Sequence, residues 1–315
     1  YKFERDFKTR LFKFKSGAIV NFAMDLFEVY MTTQLKGSST FFLPFNKGSG
    51  YGIESGKGNP HNENGLDVSY MWEDILSKET LLYLIDKIIY LKKEKKKDDR
   101  TGRYKKSETL IFPRYHQFNA VRKLVNDIKI NETSRNYLIE HSAGSGKTNT
   151  IAWLSYRLAS LHNLKDEIIF DTICVITDRI VVDRQLQDAV LGLEHKEGLI
   201  KVMDDKCTSH DLAVALNGNT KIIVTTIHKF MYIKDIIENS KGKKFAIIID
   251  EAHSSTSGTA MESVSYALSS ELLVAEETSQ YENGEEETLQ DKIEKEIQRS
   301  GKPNNVSMIA FTATP

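Results

Sequence analysis

Cysteine is scarce in this chain of 315 residues: Cys174 and Cys207 are the only two. That excludes a disulfide framework and suits a reducing, cytoplasmic setting. Long apolar runs are missing too. None reaches the roughly 20 residues that a bilayer-spanning helix needs, and no signal peptide is legible, so no membrane partner is expected. Net charge is nearly absent: 43 Lys and Arg face 44 Asp and Glu. A nucleic-acid surface, if the chain has one, must therefore be local. No internal repeat is found. What is present, 40% apolar and 28% charged residues, is the composition of a globular protein. The length allows one large domain or two smaller ones. The first residue is Tyr1 rather than Met, and "FTATP" stops directly after an apolar run. We expect a piece of a longer protein.

The early region alternates as strands do, in "LFKFK", "AIVNFAMD", "FEVYMTTQL" and "FFLPF". A Gly-rich loop follows, "NKGSGYGIESGKGNPHNENG". "SKETLLYLIDKIIYLKKEKKK" carries Leu81, Leu84, Ile88 and Leu91 at helical spacing. The charged run "KKEKKKDDRTGRYKK" then reads as a solvated linker. From about residue 109, strand-like and helical runs take turns. "NYLIEHS" precedes a helix with Ile151, Leu154, Leu158 and Leu161 on one face. "IIFDTICVIT" precedes "VVDRQLQDAVLGL", "KIIVTTI" precedes "HKFMYIKDII", and "KFAIIID" and "VSMIAFTAT" follow. This is an α/β pattern: a parallel sheet with helices on both faces, binding ligands beyond the carboxyl ends of its strands. "EETSQYENGEEETLQDKIEKEIQ" is acidic and reads as an exposed insertion with one helix. The expected division is 1–72 for the strand-rich region and loop, 73–108 for linker helix and charged run, and 109–315 for the parallel-sheet lobe.

"HSAGSGKTNT", residues 141–150, sits between a strand and a helix. That is the context of a phosphate loop. Backbone N–H groups of Gly144, Ser145, Gly146 and Lys147 can point at a β-phosphate, helped by the helix dipole. The Lys147 ammonium would meet the β- and γ-phosphates, and the Thr148 hydroxyl would ligate Mg²⁺. A ligand-free Gly-rich turn is the plainer alternative. "FAIIIDEAH" makes that alternative weaker, because it sets Asp250 and Glu251 at the end of a buried-type strand. Asp250 would hold Mg²⁺, and Glu251 would orient or deprotonate the attacking water. An acidic helix start is the competing reading. Together the two stretches predict nucleotide hydrolysis.

Four further stretches complete the set. "FPRYHQ" places Gln117, with Arg114 three residues earlier, ahead of the loop. "VITDRIVVDRQL" holds Thr177 and Arg179. "VTTIHKF" holds Thr225 and Thr226. "FTATP" holds Thr312 and Thr314. In this order the chain resembles superfamily 2 helicase-type motors with a RecA-like first lobe. The resemblance makes Gln117 an adenine reader, which selects ATP through its donor and acceptor amide. It makes Thr177, Arg179, Thr225 and Thr226 contacts to nucleic-acid phosphates. It makes His253, Thr312 and Thr314 couplers of the nucleotide site to domain movement. Each polar residue alone also fits a helix cap.

The likeness narrows further. "FPRYHQFNAVRKL", "IEHSAGSGKTNTIAWLSYRL", "VITDRIVVDRQLQ", "IIVTTIHKF", "DEAHSSTSG", "FTATP" and the earlier "VYMTTQLKGSSTFFLPFNKG" with "GNP" are similar to the restriction (R) subunit of type I restriction–modification enzymes. His141 stands where phosphate loops usually open with glycine, and fits this branch. His228 departs from an expected glutamine. The resemblance implies ATP and Mg²⁺ as cofactors and double-stranded DNA as substrate. It implies methyltransferase (M) and specificity (S) subunits as partners, and translocation of DNA before cleavage. It makes the first 72 residues the remnant of a nuclease domain. The nuclease's carboxylate cluster is not found, since Asp6 and Lys8 lack a preceding proline–aspartate; Tyr1 could end a Gln-x-x-x-Tyr nuclease motif whose glutamine would lie upstream. Two other readings stay open: a DEAH-containing helicase on DNA or RNA, and an assembly module that binds nucleotide without turnover.

Overall fold

A computed structural model describes residues 9–48, 58–97, 104–142, 144–177, 180–193, 198–204, 206–226, 242–250 and 305–312. The chain divides into two units, Tyr1–Ala120 and Val121–Pro315.

In the first unit, β1 (Asn21–Met24) pairs antiparallel with β2 (Val29–Thr32), and β2 pairs with β3 (Leu43–Pro44). The β1–β2 turn is held by Asp25, whose Oδ1 accepts from the Phe27 and Glu28 N–H groups at 2.8 and 2.7 Å. Short Asp side chains favour such turns for this reason. The core beneath is aromatic. Phe22, Phe112 and Tyr115 each place a ring 5.4–5.9 Å from Phe45. The Tyr70 hydroxyl donates to the Phe45 carbonyl at 2.7 Å, and burial pushes that phenol's pKa up.

Three expectations change here. "LFKFK" forms a 3-10 turn at Arg10–Phe12, not a strand. The helix expected through Leu91 is α1, Lys78–Tyr83, capped by Ser77 and extended by a wide π turn over Leu84–Ile88. Leu84 and Ile88 are buried as the spacing predicts, but Leu81 is exposed and Leu91 lies in a strand. The described parts of the charged run are strands rather than irregular chain. β4 (Tyr90–Lys97) and β5 (Tyr104–Ile111) form an antiparallel ribbon in continuous register from Tyr90↔Ile111 to Lys97↔Tyr104. Ile89 and Tyr90 favour extended backbone, and the partner strand then pairs with alternate N–H and C=O groups along the lysine run.

The division between the units falls inside α2 (Tyr115–Asn131). Beyond it, the second unit is the expected α/β lobe. Its strands are β6 (Tyr137–Glu140), β7 (Thr172–Thr177), β8 (Ile200–Val202), β9 (Ile222–Thr226), β10 (Phe245–Ile249) and β11 (Val306–Thr312). All described pairings are parallel, in the order β6-β11-β10-β7-β9-β8. Every residue of β7, β9 and β10 is buried, as expected of strands covered on both faces. α3 (Lys147–Ala159) and α4 (Ile180–Gly192) pack on β7 and β9. α5 (Ser209–Asn217) contributes Leu212, Ala213 and Leu216 to a separate cluster with Ile176, Ile223, Phe245 and Ile247. Cys174 belongs to that cluster, and burial raises its thiol pKa to about 12, so it is an inert core residue.

Candidate functional site

The phosphate-loop stretch runs off β6 into α3. Gly144 and Gly146 hold φ of +73° and +88°, the left-handed region that glycine enters without strain. Gly146 is also the N-cap of α3 and offers no side chain to it. The first-turn N–H groups are therefore left to backbone and ligand. The Ser145 N–H donates to Ser142 O at 3.1 Å and tightens the turn. Lys147 and Thr148 open the helix, half-buried. Ile151, Leu154 and Leu158 are fully buried, and Leu161 nearly so, so the apolar face read from the spacing anchors the helix under the loop.

Strand register brings distant residues to the same edge. Glu140 pairs with Thr312, and the His141 N–H donates to Thr312 O at 2.9 Å, carrying the ladder one residue into the loop. Ile249 pairs with Ala310 on one side and Ile176 on the other, so Asp250 emerges beside them. Its N–H donates to Ile176 O at 3.0 Å. Thr177 pairs with Thr226. His141, Thr312, Asp250, Thr177 and Thr226 thus line the carboxyl edge of one sheet, and all are buried. β10 lies two strand spacings from β6, roughly 10 Å. That separation suits groups acting on two ends of one polyphosphate. Glu251, Arg179, His253, Thr314 and His228 lie outside the described residues, as do Tyr1, Asp6 and Lys8.

The sequence profile of the SWI2/SNF2 ATPases matches residues 116–315, well over half of the chain. The chain belongs to the SWI2/SNF2 ATPase family. It is 28% identical over 231 residues to the putative type I restriction enzyme MjaVIIIP endonuclease subunit of Methanocaldococcus jannaschii, covering 64% of this chain and 21% of that protein. The chain thus spans about a fifth of that relative's length. Among solved structures it is similar to the UvsW helicase of bacteriophage T4, at 15% identity and a TM-score of 0.41, covering 76% of this chain and 61% of that one. It is also similar to a nuclease-deletion mutant of the type ISP restriction–modification enzyme LlaGI, at 16% identity and a TM-score of 0.37, covering 64% and 17%.

In this SWI2/SNF2 lobe, a divalent cation fits the residues present. Among the described residues, no three His, Cys, Asp or Glu side chains cluster as an all-protein metal cage. Thr148 and Asp250 instead offer a hydroxyl and a carboxylate, the hard oxygen donors with which Mg²⁺ is held while phosphates fill its other positions.

The ATPase's Gln117 is placed with less ambiguity than its sequence allowed. It is the third residue of α2, buried, and its Oε1 accepts from the Arg114 N–H at 2.8 Å. That is half of a capping box, so the helix-cap reading holds in the structure. The cap engages the amide oxygen, whereas adenine reading also draws on the amide nitrogen. Thr225 is fully buried within β9 and donates to Thr226 O at 3.4 Å, leaving Thr226 at the strand end. The Thr177 hydroxyl is buried and meets no partner among the described residues.

His141 is the residue whose role the sequence did not show. Its ring stands edge-on to Phe311, centroids 5.9 Å apart. With its backbone N–H on Thr312 O and its ring against Phe311, His141 ties the loop to β11. The only signal available was an imidazole in place of the usual glycine, because the partner lies some 170 residues downstream.

Proposed function

We propose that this chain carries the first motor lobe of a type I restriction enzyme's motor and endonuclease subunit, which hydrolyses ATP to translocate double-stranded DNA before cleavage. Residues 109–315 form the lobe, 73–108 precede it, and 1–72 are the end of a nuclease domain. What supports the reading most is the sheet edge that sets the Gly144–Thr148 loop and Asp250 two strands apart, within the region matched to the ATPase family.

In this reading, N–H groups of Gly144, Ser145, Gly146 and Lys147 cradle the β-phosphate, and Lys147 balances charge on the γ-phosphate. Thr148 and Asp250 would hold Mg²⁺, which would supply charge neutralisation to the phosphate oxygens. Glu251 positions the attacking water. Gln117 and Arg114 face the adenine. Arg179, Thr177 and Thr226 meet DNA phosphates, with Thr225 supporting Thr226 from within the strand. His253, Thr312 and Thr314 transmit the nucleotide state. The M and S subunits read the DNA sequence, and the complex works in the cytoplasm. No helix among the described residues is long and apolar enough to cross a membrane.

Such motors close a second lobe over the nucleotide and bring an arginine finger that accounts for orders of magnitude in rate. Residues 109–315 are read as the first lobe, which does not carry that finger. The chain alone is expected to bind Mg²⁺-ATP weakly and turn it over slowly, with or without duplex DNA. A coupled-enzyme assay checks this, and robust DNA-stimulated hydrolysis by the chain would contradict it.

A further inference from the structure

The ribbon of β4 and β5 holds seven lysines against two glutamates, in a chain whose net charge is −1. One glutamate, Glu108, is already taken by Lys15 at 2.6 Å. Register sets like charges directly opposite one another, Lys95↔Lys106 and Lys96↔Lys105. Such pairs destabilise a ribbon by themselves and are relieved by a polyanion. By register, Lys93 stands opposite Glu108, Lys95 opposite Lys106 and Lys97 opposite Tyr104. Lys93 and Lys106 are exposed, and Tyr104 is 71% exposed.

We propose that this ribbon is a docking surface for the phosphate backbone of duplex DNA, a second contact distinct from the sheet edge of the motor lobe. The inference rests on the DNA-motor reading for its choice of polyanion. The spacing fits. Alternate residues of a strand repeat about every 6.8 Å, which is two base steps of about 3.4 Å along one DNA strand. A two-stranded ribbon also has the width that the major groove admits. Lysines contacting phosphates position the duplex without reading its sequence, as befits a motor that must pass any sequence.

The test is the salt dependence of duplex binding by the whole chain, followed by fluorescence anisotropy of a labelled 30-base-pair duplex. Each phosphate contact contributes about 0.9 to the slope of log K against log salt. The triple variant K93Q/K95Q/K106Q is expected to flatten that slope by about 2.7. Between 50 and 200 mM salt it should lose about 40-fold less affinity than the unaltered chain does. K93R/K95R/K106R keeps the charge and should keep the slope. If the glutamine triple fails to fold, K93Q alone, at an exposed position, should flatten the slope by about one. Duplex binding with an unchanged slope would overturn the ribbon surface and leave the motor reading standing. No duplex binding by the unaltered chain would sink both. Polyglutamate competing as well as DNA of equal charge would assign the surface to an acidic protein instead, and would also overturn the proposal.

Discussion

Replacing Lys147 by Ala is expected to lower ATP hydrolysis by the intact protein about 10²–10³-fold, with the fold retained. The lysine is the first residue of α3, half-buried beside two glycines in left-handed conformation. Its ammonium is the one fixed positive charge in the loop. Removing a preorganised donor from a site where negative charge moves typically costs about 3–4 kcal/mol of transition-state stabilisation. Little stability goes with it. α3 is anchored by Ile151, Trp153, Leu154 and Leu158, all fully or almost fully buried, and Ala is the best helix former. Steady-state hydrolysis and a thermal melt, measured together, check both halves. Activity within about threefold of the unaltered protein would mean that the loop does not hold the phosphates.

The Asp250→Asn exchange should be nearly as severe, about 10²-fold or more in turnover, and it should raise the Mg²⁺ concentration required. The side chain emerges from the end of β10 at 3% exposure, on the edge that also carries the loop. Asn keeps the shape and one oxygen but gives up the charge that a hard cation prefers. Metal-assisted charge stabilisation is worth several kcal/mol, so a weakened ligand shows in both turnover and metal titration. A Mg²⁺ titration of hydrolysis separates this role from an acidic helix start. A variant with normal turnover and an unshifted metal midpoint would place Asp250 outside the metal site.

How far this was legible in the sequence varies with the kind of signal. The lobe was readable because β7, β9 and β10 are short apolar-rich runs in which threonine is the only polar residue, a pattern that suits burial on both faces. The loop was readable because Gly144 and Gly146 meet a backbone requirement that leaves its mark on residue type. Strand order was not readable. β11 comes last in the chain yet lies between β6 and β10, and nothing local in "VSMIAFTAT" says so. The ribbon failed for a related reason: lysine-rich segments read as solvated linker, and only the register with β5 turns Lys92–Lys97 into a strand. The helix reading ran too far because Leu91 continued the spacing of Leu84 and Ile88, although its backbone had already turned to its partner strand. Gln117 shows a residue whose two readings coexist in sequence, while the structure displays the cap.

In the proposed function, nucleotide bound at this sheet edge moves double-stranded DNA. The measurement that tests it most directly is ATP-dependent displacement of a triplex-forming third strand by the intact protein, set beside unwinding of a short forked duplex. The expected result is that the third strand is displaced in the presence of Mg²⁺-ATP, that the Lys147→Ala protein fails to do so, and that the fork stays paired. Separation of the fork without triplex displacement would contradict translocation and assign the protein to the strand-separating helicases.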